Sequence, residues 1–157
     1  MGETEDNSAE LIMKVVAEML ADYALMFGDK VSVKDLRTRE EKYVEASVRF
    51  SGGISGEIRI AATRPFCRML AANILGIEPV DAEAAGNEMD ALKEFANIAG
   101  GHYITSAFGR EIKAYIKPPV FREITAGDWE GISLRAGGGY MVDGEPVTSC
   151  VMIDGEK

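Results

Sequence analysis

The chain has 157 residues, of which 46% are hydrophobic and 27% charged, with a formal net charge of −9 and a pI near 4.7. This length fits a single domain, 1–157, that needs no disulfide or metal to hold its core, and we expect residues 1–7 to be flexible. The acidic balance disfavours nucleic acid and membrane surfaces as partners, because both are anionic.

The N-terminal residues lack the basic and apolar regions of a signal peptide, and no apolar run reaches the roughly 18 residues that span a bilayer. Cys67 and Cys150 match neither a disulfide framework nor a zinc site, and we interpret them as small buried hydrophobic side chains. The sequence thus predicts a cytoplasmic protein with no metal site of its own.

A helix is predicted first, over Ser8–Phe27, with Asn7 and Glu10 as a capping box and Gly28 after its end. Its apolar residues recur at helical spacing: Ile12, Val15, Val16, Met19, Tyr23, Met26 and Phe27. Met13, Met19 and Met26 lie on or near this stripe, so we expect them in the core.

Three strands are predicted next, over Val31–Arg37, Tyr43–Phe50 and Ser55–Ala62. The glycine-rich segment 51–56 is interpreted as a hairpin loop, because glycine permits positive φ. Such a loop can also cradle phosphate, but no helix N-terminus follows it directly and no Walker lysine is present.

Two helices are predicted in the middle of the chain. One begins after Thr63 and ends at Gly76. After a short helical turn at Asp81–Ala85, the other runs over 88–108, with a capping box at Asn87–Asp90.

The last third predicts strands over Glu111–Ile116, Ile132–Arg135, Tyr140–Val142 and Val147–Ile153, with Asp143-Gly144 as a hairpin turn. Strands and helices do not alternate one by one along the chain. We therefore expect an α+β fold, with a mostly antiparallel sheet of about six strands packed with two long helices and the N-terminal helix.

The helix over 88–108 presents a polar face. At about 100° per residue, Asp90, Glu94 and Asn97 line up over two turns with Lys93 on their flank. The opposite stripe, expected to be buried, consists of Leu92, Phe95, Ala96 and Ala99. Any surface helix needs a polar face, but like charges at i,i+4 and a mid-helix asparagine are unfavourable choices for one. This face is our candidate working site.

The segment 90–97, DALKEFAN, resembles the motif of the CheC/CheX family of chemotaxis phosphatases. That motif has Asp or Ser, Glu four residues later and Asn three further on, with a proline downstream. Gly100-Gly101 also fits the family pattern, and from the residues alone it suggests close helix packing or a local bend. Pro118 and Pro119 lie slightly closer to Asn97 than the family spacing.

The resemblance implies a phosphatase that hydrolyses the phospho-aspartate of a CheY-like response regulator. It implies that Glu94 and Asn97 are the catalytic residues: Asn97 positions the attacking water and Glu94 anchors the partner. Asp90, Glu94 and Lys93 are the implied partner-binding residues. No cofactor of the chain's own is expected, and the Mg²⁺ belongs to the regulator.

The early segment offers Glu18 and then Ala21 where a second motif would need asparagine, so one active centre is expected. A single motif per chain resembles CheX-type members of the family, and this resemblance implies a homodimer. The alternative is a non-catalytic module of the same fold that docks a regulator or a flagellar-switch component. A third class, a small-molecule enzyme, would show a deep pocket lined by perturbed carboxylates.

The sequence allows two interpretations for each of two further residues. His102, the single histidine, is a surface residue or a general base. Trp129 either anchors a partner or plugs the end of the sheet.

Overall fold

The computed structural model describes residues 2–36 and 42–155, and the side chains among them from residue 7 onward. Five helices and seven strands follow one another in the order α1 (Gly2–Ala24), β1 (Asp29–Val31), β2 (Lys42–Gly52), β3 (Gly56–Ala62), α2 (Arg64–Leu75), α3 (Ala82–Gly86), α4 (Glu88–Phe108), β4 (Ala114–Ile116), β5 (Val120–Thr125), α5 (Ala126–Ala136), β6 (Gly139–Val142) and β7 (Glu145–Ile153). A 3₁₀ turn at Val33–Leu36 follows β1.

All strands join one sheet, in the order β1-β6-β7-β3-β2-β4, with β5 also paired to β2. Every pairing is antiparallel. The predicted α+β class and antiparallel sheet are therefore confirmed. Within the described residues the sheet has seven strands, compared with about six expected. Strand β5 was not predicted, and one of the predicted strands lies in α5 instead.

Both faces of the sheet are covered, by different helices. The larger core cluster joins α1, α2 and α4 to one face, including Val44, Ala46, Val48 and Phe50 from alternate positions of β2. The smaller cluster lies on the other face beneath α5 and includes Tyr43, Trp129, Ile132 and Cys150. Alternate side chains of β2 thus face the two cores.

Helix α1 differs from its prediction at both ends. It begins at Gly2 rather than Ser8, so the capping box proposed at residues 7–10 lies inside the helix and is wrong. The flexibility of residues 1–7 stays a prediction. The helix ends before Leu25, which adopts a left-handed φ of 53°, and the Met26 N–H donates to the Leu20 carbonyl at 2.9 Å. This bond, reaching back six residues, closes the helix three residues before the predicted Gly28.

Because α1 ends early, not all residues of its predicted apolar stripe are buried. Met13, Met19 and Met26 are buried, as predicted. Tyr23 and Phe27 are not buried: 38% and 72% of their surfaces are exposed. These two residues therefore face solvent rather than the core.

The strand predicted at Val31–Arg37 is wrong beyond its first residue, and Arg37 lies outside the described residues. The Asp35 N–H donates to the Ser32 carbonyl at 3.0 Å, and the Ser32 hydroxyl donates to the Asp35 carboxylate at 2.9 Å. These local bonds form a turn, which competes with strand pairing.

The strand predicted at Ile132–Arg135 is also wrong, because those residues lie in α5. Thr125 and Asp128 form a capping box at its start, and Gly137 ends it with a φ of 76°. Of the strand predicted at Glu111–Ile116, only β4 forms.

The ends predicted for α2 and the hairpin turn predicted at Asp143-Gly144 are confirmed. The Thr63 hydroxyl accepts from the Phe66 N–H at 3.2 Å at the start of α2, and Gly76 ends that helix with a φ of 70°. Asp143 and Gly144, with φ of 49° and 83°, connect β6 to β7. Both cysteines are buried and free. Within the described ranges, no helix has the length and apolarity to cross a membrane.

Candidate functional site: the exposed face of helix α4

Only Asn87 separates α3 from α4, and this residue determines how the backbone at the start of α4 is hydrogen-bonded. Asn87 has φ −111° and ψ 11° and makes no side-chain cap; its amide instead donates to the Glu83 carbonyl at 2.7 Å. The capping box predicted at Asn87–Asp90 is therefore wrong. The acidic side chains of Glu88 and Asp90 remain favourably placed at the positive end of the helix dipole.

Glu88 fixes α4 against α2. Its side chain is 9% exposed, and its carboxylate lies 2.9 Å from Arg68 Nε and 3.5 Å from Arg64 Nη1. A carboxylate buried between two guanidinium groups links the two helices, because its removal would leave both arginines without their shared anion. The start of α4 is thus held in place by α2.

The polar face lies where the sequence predicts it. Asp90, Glu94 and Asn97 are exposed, and Lys93 is half-buried on their flank. Within the described part of the chain, the side chains of these four residues make no hydrogen bond or ion pair. The helix therefore presents two carboxylates and an amide that are free to contact another molecule.

The opposite side of α4 is packed into the core. The predicted buried stripe is confirmed, with zero exposure at Leu92, Phe95, Ala96 and Ala99. Gly100 lies close to the sheet, where a Cβ would stand 3.5 Å from a methyl of Val48. A Cβ would fit at that ordinary van der Waals distance, so packing does not require glycine there. The polar face nevertheless rests on a closely packed base.

A depression of about 250 Å³ adjoins the polar face. It is lined by residues of α1, α2 and α4, with a neighbouring asparagine: Tyr23, Ala71, Ile74, Leu75, Asn87, Asp90, Ala91 and Glu94. We call it the interhelical depression. Sequence reasoning missed its apolar walls, because its three helices come together only in the folded chain.

A second group of charged residues lies on the other face of the sheet, around Glu45. This side chain is 1% exposed, and its Oε1 accepts from Arg122 Nε at 3.3 Å and lies 4.0 Å from Arg59 Nε. Arg59 also contacts Glu57 at 2.6 Å. The Glu45 carboxylate is paired with these arginines through Oε1, while its buried Oε2 has no hydrogen-bond partner among the described residues. We interpret this cluster as structural.

His102 and Trp129 are placed by the structure. His102 is exposed on α4, beyond Asn97. Trp129 is buried, stacks on Tyr43 with ring centroids 4.2 Å apart, and donates from Nε1 to the Leu36 carbonyl at 3.3 Å. Trp129 is therefore part of the core beneath α5 rather than a partner anchor.

Burial also determines the protonation state of the two cysteine thiols. Desolvation raises the pKa of Cys150 to about 11 and that of Cys67 well above its ordinary range. Both thiols are neutral at physiological pH and unsuited to act as nucleophiles. In the residues that the structure describes, no three histidine, cysteine or acidic side chains are grouped to hold a metal ion.

The fold is that of known chemotaxis proteins. The CheX protein of Desulfovibrio desulfuricans matches with a TM-score of 0.66 and 12% identity, over 94% of this chain and 99% of that one. CheX of Borrelia burgdorferi, in a complex with CheY, BeF₃ and Mg²⁺, matches with a TM-score of 0.63 and 18% identity, over 93% and 97%. Chemotaxis protein CheX of Vibrio vulnificus gives 0.61 and 12%, over 91% and 95%. At these identities the likeness establishes the fold alone.

The family follows from the sequence. Residues 44–133 match the family model described as "Chemotaxis phosphatase CheX". This segment is more than half of the chain and includes all of α4, so the chain belongs to the CheX family. The comparison with curated protein sequences finds no match.

Proposed function

We propose that this protein hydrolyses the phospho-aspartate of a CheY-like response regulator, with Glu94 and Asn97 as the residues that act on the complex. One observation carries the proposal: both side chains are exposed, in phase on a rigid helix, with no partner in the described part of the chain. Membership of a family of chemotaxis phosphatases supports the same activity.

The residue types suit the hydrolysis of an acyl phosphate. A water molecule attacks the phosphorus in line, the bond from phosphorus to the aspartyl oxygen breaks, and inorganic phosphate and a free carboxylate result. The Asn97 carboxamide oxygen accepts a hydrogen bond from that water and orients it, and the amide has no charge to repel the phosphoryl group. Asn97 thus contributes by positioning, which lowers the entropic barrier to attack.

Glu94 is suited to hold the regulator. Among the described residues no cation pairs with its carboxylate, and Asp90 lies one turn away with the same charge. A basic side chain near the phosphorylation site of the regulator relieves this repulsion and forms a charge-assisted bond with Glu94. Asp90 and Lys93 flank this contact and support the orientation of the partner.

Three further predictions accompany this proposal. The Mg²⁺ is carried by the regulator as part of the substrate. One motif per chain favours a homodimer, as the family resemblance implies. A cytoplasmic location follows from a partner that signals inside the cell.

The decay of a phosphorylated CheY-type receiver domain, followed with and without this protein, tests the proposal. We expect wild type to accelerate the decay and Asn97→Ala to reduce the acceleration by about 100-fold or more, because an unpositioned water attacks rarely. His102→Ala, on the same helix and also exposed, is the matched control and should behave as wild type. Circular dichroism should show all three proteins equally folded.

If Asn97→Ala accelerated the decay as well as wild type does, the assigned role of Asn97 would be wrong. If wild type bound a receiver loaded with BeF₃⁻ and Mg²⁺ but left its phosphorylated form undisturbed, the protein would be a non-catalytic docking module.

A further inference from the structure

The interhelical depression is an exposed apolar site directly beside the polar face of α4. Its walls include Tyr23, 38% exposed, and Leu75, 44% exposed, and its rim carries the carboxylates of Asp90 and Glu94. Most exposed apolar side chains occur singly on protein surfaces, whereas here they border a concave surface next to two charges.

Contacts between the three helices hold the depression in shape. The Asn73 amide, on α2, donates to the Ala24 carbonyl at the end of α1 at 2.9 Å. The left-handed Leu25 then turns the chain away from the helix axis. The ion pair of Arg68 and Glu88 joins α2 to α4 at 2.9 Å. These contacts join the helices pairwise, so the depression is formed before any partner arrives.

Size and charge identify the occupant. At about 250 Å³, the volume is below the range of about 300–1,000 Å³ typical of small-molecule pockets, and it suits one large side chain of a protein partner. Apolar walls select an apolar side chain. The two rim carboxylates pair with no cation of the described residues, so they select a basic residue next to that apolar side chain.

We propose that the interhelical depression is a specificity site, in which Tyr23 and Leu75 receive an apolar side chain of the response regulator that lies next to the basic residue held by Glu94. The inference rests on the proposed function for the identity of the partner. It adds a separate contact, formed by α1 and α2, that affects binding of the regulator and leaves the chemistry at Asn97 unchanged. Tyr23 and Leu75 are therefore positioning residues rather than catalytic ones.

The variant Leu75→Ser tests the site, with Leu134→Ser as its matched control. Leu134 is also a helical leucine, 62% exposed, but it lies in α5 on the other face of the sheet. For Leu75→Ser we expect the half-saturating concentration of phosphorylated receiver to rise about five- to tenfold, since a partly buried leucine is lost from the interface. The maximal rate should stay within about twofold of wild type, because Asn97 is unaffected.

A second pair of variants repeats the comparison with tyrosine. Tyr23→Ala should weaken binding of the receiver, while Tyr115→Ala, on β4 and 69% exposed, should not. Dissociation constants for a receiver loaded with BeF₃⁻ and Mg²⁺ are measured for wild type and all four variants, so that binding is read without hydrolysis.

The outcomes separate the two proposals. If wild type binds the BeF₃⁻-loaded receiver but does not accelerate the decay of the phosphorylated receiver, and Leu75→Ser alone of the serine variants weakens binding, the docking site stands and the proposed function fails. Equal affinity of Leu75→Ser and Leu134→Ser, in a wild-type protein that is an active phosphatase, would overturn the docking site alone. Failure of wild type to bind the receiver would overturn both. A lowered maximal rate in Leu75→Ser with unchanged half-saturation would also contradict the assignment.

Discussion

Two glutamates on opposite faces of the sheet differ in how their charge is paired. On one face, Glu94 is exposed on α4 and pairs with no cation of the described residues. On the other, Glu45 is buried and contacts two guanidinium groups, those of Arg59 and Arg122. The same side chain is thus available to a partner in one place and part of the architecture in the other.

The difference shows that satisfaction of charge, rather than charge itself, distinguishes the candidate site. A paired, buried carboxylate stabilises the fold only while its partners remain. An exposed carboxylate beside a like charge contributes little to the stability of the fold. The sites of Glu94 and Glu45 therefore predict opposite responses of stability and activity to substitution.

The largest expected effect contrasts Trp129 with Asn97. Trp129→Ala removes a buried ring that stacks on Tyr43, and we expect the free energy of unfolding to fall by about 3–5 kcal/mol, as for other large aromatic truncations. The protein that remains folded should keep the phosphatase activity that we propose. Urea unfolding followed by far-UV circular dichroism measures the loss. Asn97→Ala should show the reverse, with stability within about 0.5 kcal/mol of wild type. Loss of activity in Trp129→Ala at full folding would break the separation of the two faces.

An intermediate effect is expected at the two glutamates. Glu45→Ala leaves Arg59 and Arg122 without their shared anion, and it should destabilise the protein by about 1–2 kcal/mol, since both arginines are partly exposed and screened by solvent. Glu94→Ala should change stability by less than about 0.5 kcal/mol and should weaken binding of the receiver. Thermal melts and binding titrations of both variants provide the measurement. Equal stability losses would contradict the contrast.

The smallest effect concerns the starts of α5 and α4. Thr125→Ala removes a capping box and should cost about 1 kcal/mol, whereas Asn87→Ala removes no cap from α4 and should cost less. Chemical denaturation of the two variants measures the difference, and a larger loss in Asn87→Ala would contradict it.

The same cap carries a pH dependence. The Thr125 N–H donates to Asp128 and lowers the pKa of that carboxyl below its ordinary 3.8. Because the folded pKa is depressed, the carboxylate's stabilisation is present above pH 3.8 and is lost as the pH falls through the folded pKa.

Elements with strong local signals could be predicted from the sequence. Helix α2 has Thr63 and Gly76 at its ends, and the hairpin of β6 and β7 has Asp143-Gly144, so short-range chemistry alone specifies them. The α4 face was predictable for the same reason, because helical periodicity determines which side chains share a side.

Other elements depend on information that the local sequence carries weakly. Glycines at 127 and 131 obscured α5, although Thr125, Asp128 and Gly137 mark its two ends. Strand β5 has charges at its centre because it lies at an edge of the sheet, with Arg122 beside Glu45. The end of α1 depends on a leucine in a left-handed conformation, which no residue preference predicts.

The candidate site divides in the same way. Glu94 and Asn97 follow from helical phase and a family-like motif. The interhelical depression does not, since Tyr23 and Leu75 are far apart in sequence and are brought together only by the packing of α1 against α2. Its discovery required the tertiary structure.

One feature of the sheet bears on how the chain behaves at high concentration. Strands β4 and β5 both pair with β2 along the same edge, and Pro118-Pro119 separates them. Proline has no N–H to donate, and a broken edge offers only short runs of free backbone groups to a neighbouring chain. We therefore expect the two prolines to hinder aggregation at this edge of the sheet, where strands of other molecules could otherwise pair.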